Sequence, residues 1–111
     1  MTQLSYAGSP LYCDLSLDPE FATVVAWFVG DLPDRIAELQ ENVAAGDWEG
    51  LQQTVHRLKG AGGSFGFGPI TAAAAAVERA IEPRQSAAAI LLAVEALVDL
   101  CRRARVSRPA D

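Results

Sequence analysis

Apolar residues recur at steps of three and four along most of this chain, and that spacing restricts the fold more than any other feature. One series runs Phe21, Val25, Phe28, Leu32, Ile36, Leu39 and Val43. A second is Leu51, Val55, Leu58, Gly62 and Phe65; a third is Ile70, Ala74, Val77 and Ile81; a fourth is Ala87, Ile90, Val94, Leu97 and Cys101. Such steps mark one face of a helix, and no segment shows the alternation of a half-buried strand. Four amphipathic helices with short connections predict an all-α fold, an antiparallel four-helix bundle.

The breaks between the series carry their own signals. Asp18 can cap the first helix, and Pro19 suits its first position. Gly30 and Pro33 fall inside this helix, so a bend or a division into two segments is expected near 31–33. Gly46 ends it and Asp47 caps the second. Gly66-Phe67-Gly68-Pro69 reads as a turn, with Pro69 opening the third helix. Glu82-Pro83 breaks that helix, and the fourth is expected from about Arg84 to Arg105. Residues 1–17 have no clear period. They are expected as a short irregular or helical segment, with Leu11, Tyr12 and Leu15 across the bundle end. The bundle then occupies 18–105, and 106–111 form a C-terminal tail.

Composition removes several classes of function. At 111 residues the chain can bury one modest core without disulfide or metal staples. A net charge of −5 disfavours nucleic acid as a partner. The charge is uneven: residues 1–101 hold 5 basic and 13 acidic groups, while Arg102, Arg103, Arg105 and Arg108 crowd the end with one acid, Asp111. Arginines near a helix C-terminus complement its dipole, which accounts for the cluster without a binding role. Cys13 and Cys101 are far apart and there is one histidine, so no zinc site or disulfide framework is indicated. No apolar run is long enough for a membrane span. The N-terminus lacks the order of a signal peptide. The expectation is a cytoplasmic monomer that binds neither membrane nor metal.

The single histidine, His56, stands in Thr54-Val55-His56-Arg57-Leu58-Lys59-Gly60-Ala61-Gly62-Gly63-Ser64. With the apolar stripe of the second helix at 0°, His56 falls near ~140°, Lys59 near ~80°, Gly60 near ~180° and Gly63 near ~120°. These four share one exposed side. An imidazole there can act as an acceptor, and a cation one turn away can balance a negative charge placed on it. Each glycine inside a helix costs roughly 1 kcal/mol relative to alanine. Gly62 lies on the core stripe, where it permits close packing. Gly60 and Gly63 lie beside His56, where no core demands them, and their missing side chains give a large partner room to approach. Gln52, Gln53 and Arg57 lie around His56 as candidate partner surface.

Glu78 joins this group by register. The turn between the second and third helices centres near Phe67, with His56 and Glu78 equally far before and after it. In an antiparallel hairpin the two sit at the same height. If they face each other, Glu78 accepts a hydrogen bond from the imidazole Nδ1–H and leaves Nε2 as the free nucleophile. Taken singly, these are ordinary surface residues; the argument rests on their coincidence. One histidine and no candidate oxyanion hole disfavour a Ser-His-Asp hydrolase. The Gly-Ala-Gly-Gly run follows no strand, so it is not a dinucleotide loop, and no Walker or kinase-like motif is present.

At His56-Arg57-Leu58-Lys59-Gly60-Ala61-Gly62-Gly63-Ser64-Phe65-Gly66 the sequence closely resembles the histidine phosphotransfer (HPt) domain of bacterial phosphorelays. The likeness extends through Phe28–Ile36, Ala45-Gly46-Asp47-Trp48 and Val77-Glu78, covering about residues 10–103. The resemblance implies a phosphoryl carrier, not a kinase, with no ATP site. His56 would accept a phosphoryl group on Nε2 from a receiver-domain aspartyl phosphate and relay it to another receiver. Lys59 would steady the phosphoryl oxygens, Gly60 would make room for the receiver, and Glu78 would orient the imidazole. The partners implied are response-regulator receiver domains and a hybrid histidine kinase. No cofactor is expected on this chain; the Mg²⁺ used in transfer belongs to the receiver. Two other readings are a non-catalytic helical adaptor and a phosphoacceptor module serving a separate histidine kinase domain.

Overall fold

The computed structural model describes residues 9–13, 19–82 and 85–106. Four helices follow one another: α1 (Pro19–Ala45), α2 (Trp48–Ser64), α3 (Gly68–Ile81) and α4 (Ala87–Arg103). Each packs on its neighbours in sequence, and α1 closes the ring against α4. The buried stripes meet in one core: Val25, Leu32 and Leu39 from α1, Leu51, Val55 and Leu58 from α2, Ile70, Ala74 and Val77 from α3, and Ile90, Val94 and Leu97 from α4. This is the expected four-helix bundle.

Helix ends are set by short-range chemistry. Gly46 takes φ +66° after α1, with Asp47 N bonded to Asn42 O and Gly46 N to Val43 O. This is a Schellman closure, which needs a left-handed residue at that position. Asp47 then caps α2 by accepting a bond from Gly50 N at 2.9 Å. The same closure ends α2. Gly66 has φ +83°, Phe67 N reaches Gly62 O and Gly66 N reaches Gly63 O. Ser86 caps α4 by accepting from Ala89 N.

Three expectations need correction. The division of the first helix at Gly30–Pro33 does not occur: α1 is one continuous helix of 27 residues with Pro33 inside it. Pro33 sits on the exposed face. The stripe of Val29, Leu32, Ile36 and Leu39 packs on the bundle on both sides of it, and that packing outweighs the ~3 kcal/mol local preference against an interior proline. The fourth helix starts at Ala87 and ends at Arg103, shorter than expected at both ends; Ala87 is exposed in its first turn. Beyond it the backbone turns extended, and Ala104–Arg105 pair in parallel with Leu11–Tyr12. The N-terminal segment is therefore a short strand at 11–12, neither irregular nor helical there. Asp18, Leu15, Pro83, Arg84, Arg108 and Asp111 lie outside the described residues. Phe67, at the centre of the expected turn, is fully buried; its ring packs on Phe28, which in turn stacks on Phe65.

The arginine-rich end behaves as helix chemistry predicts. Arg102 and Arg103 occupy the last turn of α4, and Arg105 donates to the carbonyls of Arg102 and Ala104. Arg103 pairs with Asp99 and donates to Ser9 O, which ties down the N-terminal strand. Both cysteines are free thiols. Cys13 donates to Phe65 O, and burial pushes the Cys101 thiol up to about 12, keeping it protonated. Among the described residues no helix is long and apolar enough to cross a membrane.

Candidate functional site

Register places the site. α2 and α3 run antiparallel through the closed turn at Phe65–Phe67, so residues equally spaced about it come level. Val55 and Val77 are buried in the shared core, and the residue after each emerges at the helix–helix seam. The two side chains meet: His56 Nδ1 lies 3.1 Å from Glu78 Oε2. Lys59, one turn further along α2, places Nζ 2.7 Å from Glu78 Oε1. One carboxylate thus holds both the imidazole and the ammonium.

Exposure divides the roles available to these groups. The His56 side chain is 71% open and the Glu78 side chain only 18%. A carboxylate can only accept, so the imidazole proton sits on Nδ1 and the Nε2 lone pair is left on the ring's far edge. The Lys59 ammonium, hydrogen-bonded to Glu78, holds that carboxyl below the ordinary carboxylate range. Partial burial opposes this, and the bond to His56 adds to it. Glu78 is therefore ionised near neutral pH and available as an acceptor.

The lowered value has a direction in stability. Glu78 binds its proton less tightly in the fold than in the unfolded chain, so its stabilisation is complete above the unfolded value. It is lost as pH falls through the folded one. On thermal melts run from neutral pH downward, Glu78→Gln is expected to lose stability less steeply than the parent below about pH 4.5. Parallel curves would remove the Glu78 contacts from the acid response.

The glycines separate into two kinds. A Cβ at Gly60 would meet nothing within 4 Å. At Gly62 it would come 2.9 Å from Thr71 Oγ1, 3.2 Å from Ile70 Cγ2 and 3.3 Å from the Phe67 carbonyl, and at Gly63 it would lie 3.4 Å from Thr71 Oγ1. Gly62 therefore serves the α2–α3 contact, as expected. Gly63 is exposed, and a Cβ there would make only an ordinary contact with that hydroxyl, so packing within the chain demands glycine at neither Gly60 nor Gly63.

Gln52, Gln53 and Arg57 line an open groove of about 400 Å³ together with His56, Glu78 and Glu49. On the α1 side Glu38 pairs with both Arg57 and Arg35. The sequence reading passed over Glu49, although its helical angle puts it on the same side of α2 as His56; Thr71 and Glu38 left no such signal, because their partners lie on other helices. No cluster of metal-ligating side chains occurs among the described residues.

A family model described as Hpt domain matches residues 23–106 of the chain. No curated protein matches it significantly, and no solved structure does.

Proposed function

The chain belongs to the Hpt domain family, a family of phosphoryl carriers in phosphorelays, and on that premise we propose that His56 is the acceptor. It takes a phosphoryl group on Nε2 from a receiver-domain aspartyl phosphate and passes it to a second receiver. The observation that carries this reading is the exposed imidazole bonded through Nδ1 to Glu78, with Lys59 on the same carboxylate.

The chemistry follows from where the proton sits. The Nε2 lone pair attacks phosphorus, the bond from phosphorus to the aspartyl oxygen breaks, and the receiver's carboxylate leaves. No proton has to depart from Nε2. The ring gains positive charge as the N–P bond forms, and the Glu78 carboxylate 3.1 Å from Nδ1 offsets it. Lys59 lies one turn from His56 and supplies the cation for the phosphoryl oxygens. Phosphoryl transfer depends mainly on such positioning and charge balance. The receiver brings the Mg²⁺ and the aspartate. Gly60 leaves the surface beside His56 flat for the receiver to approach, and Gln52, Gln53 and Arg57 in the adjoining groove contribute to partner choice.

The test is the intact mass of the protein after mixing with a phosphorylated receiver and Mg²⁺. The expected result is one added phosphoryl group, labile in acid and stable in base. A panel of phosphorylated receivers that bind the protein yet leave its mass unchanged would overturn the carrier reading in favour of an adaptor. Mass gain only with a histidine kinase domain and ATP would make the chain that kinase's phosphoacceptor module.

A further inference from the structure

We infer that Thr71 is a positioning residue for this site: its hydroxyl, donated to the Lys59 carbonyl, fixes the turn of α2 from which Lys59 reaches Glu78. The inference deepens the carrier reading and rests on it for its functional meaning.

The hydrogen bond crosses from α3 to α2, with Thr71 Oγ1 2.8 Å from Lys59 O. Threonine inside a helix commonly turns its hydroxyl back onto the carbonyl four residues earlier. Two others in this chain do so, Thr23 to Pro19 O and Thr54 to Gly50 O. At Thr71 the carbonyl four residues back, Phe67 O, already accepts from Ile70 N and Thr71 N. Its hydroxyl instead reaches the neighbouring helix. A helical carbonyl has two lone pairs, and the α2 ladder uses one at Lys59, so the second is open to Thr71.

The place it reaches is where α2 is weakest by composition. Gly60, Gly62 and Gly63 fall in the last turns of the helix, each costing roughly 1 kcal/mol relative to alanine. One of these glycines, Gly62, admits Thr71. A Cβ at Gly62 would stand 2.9 Å from its Oγ1, too close to coexist in place, and one at Gly63 would touch it at 3.4 Å. The missing side chain at Gly62 thus lets a hydroxyl clasp the backbone of Lys59, three residues after His56. Lys59 spans from that backbone to Glu78 Oε1, 2.7 Å from its Nζ. A slackened turn would carry the ammonium away from both Glu78 and the phosphoryl group it is to meet.

The test is Thr71→Val, which keeps the side-chain shape and removes the donor, with Thr71→Ser as the conservative rescue and Thr71→Ala as a second deletion. Titration of the Glu78 side-chain carboxyl, followed by ¹³C NMR, reads the Lys59 contact without requiring any phosphoryl transfer. Thr71→Val and Thr71→Ala are expected to move the Glu78 midpoint upward, in the direction Lys59→Met moves it, while Thr71→Ser stays with the parent. Where His56 is phosphorylated, the two deletions are also expected to shorten the phosphohistidine lifetime. A Glu78 midpoint that stays put in Thr71→Val, with only the melting temperature lowered, would reduce Thr71 to helix packing and overturn the proposal. So would an equal shift in Thr71→Ser. Failure of His56 to accept phosphate, with the titration result intact, would overturn the carrier reading and leave the positioning of Lys59 standing.

Discussion

His56→Gln is expected to hold no phosphoryl group under any donor while keeping the parent's fold. The loss is complete because the acceptor atom is gone: a carboxamide nitrogen has no free lone pair for attack on phosphorus. The fold survives because the imidazole contributes little to it. Its side chain is 71% exposed, and among the described residues its polar contact is with Glu78. Such a partly solvated pair is worth on the order of 0.5 kcal/mol, and the glutamine amide can still donate to the carboxylate. A melting temperature within a few degrees of the parent is the corresponding expectation. Intact mass and a thermal melt on the same preparation check both halves. A variant that still gains an acid-labile phosphoryl group would remove His56 from the mechanism, and one that unfolds would turn His56 into a structural residue.

The features legible in the sequence were those set by short-range rules. Helical spacing of Leu51, Val55, Leu58 and Gly62 located the buried face of α2, and the exposed side followed from it. Gly46, Asp47 and Pro69 act within a few residues of themselves, so their roles transferred directly to the structure. The meeting of His56 with Glu78 was legible for a related reason. A tight turn fixes the register of an antiparallel helix pair, and equal offsets from Phe67 brought the two level.

What stayed hidden depends on contacts distant in sequence. Pro33 signals a break locally, but packing along Val29, Leu32, Ile36 and Leu39 carries α1 through it. Phe67 sits among glycines and a proline, which describe a turn, yet the direction of its side chain depends on where Phe28 lies. The pairing of Leu11–Tyr12 with Ala104–Arg105 is too short to leave a period and joins opposite ends of the chain. Thr71 has an ordinary helical context, and only the approach of α2 reveals its bond to Lys59. The helices and the exposed face carrying His56 were thus readable from short-range rules; the bond from Thr71 to Lys59 needed the packed pair.

Gly60 offers a test in which stability and function move in opposite directions. Its backbone is helical, since no left-handed φ is found there, and a Cβ would meet nothing within 4 Å. Nothing inside this chain requires glycine at that position. Gly60→Ala is therefore expected to stabilise the protein by about 0.5–1 kcal/mol through helix propensity alone. Gly60→Gln should keep most of that gain, because glutamine is a good helix former. Its longer side chain would stand on the surface one turn from His56, where a docking receiver must come close. Transfer from a phosphorylated receiver is expected to fall at least roughly tenfold, which needs only ~1.4 kcal/mol of lost docking or transition-state stabilisation. Phosphorylation by a small donor such as phosphoramidate should be nearly unchanged, because the imidazole and Lys59 are untouched. Equal loss with both donors would point to disturbed chemistry at His56. Undiminished transfer from the receiver would show that the partner does not approach over Gly60, and a fall in melting temperature would show that the fold itself demands the glycine. The combination of a higher melting point, normal reaction with the small donor and impaired reaction with the receiver has one physical explanation: the glycine is kept for the space above it.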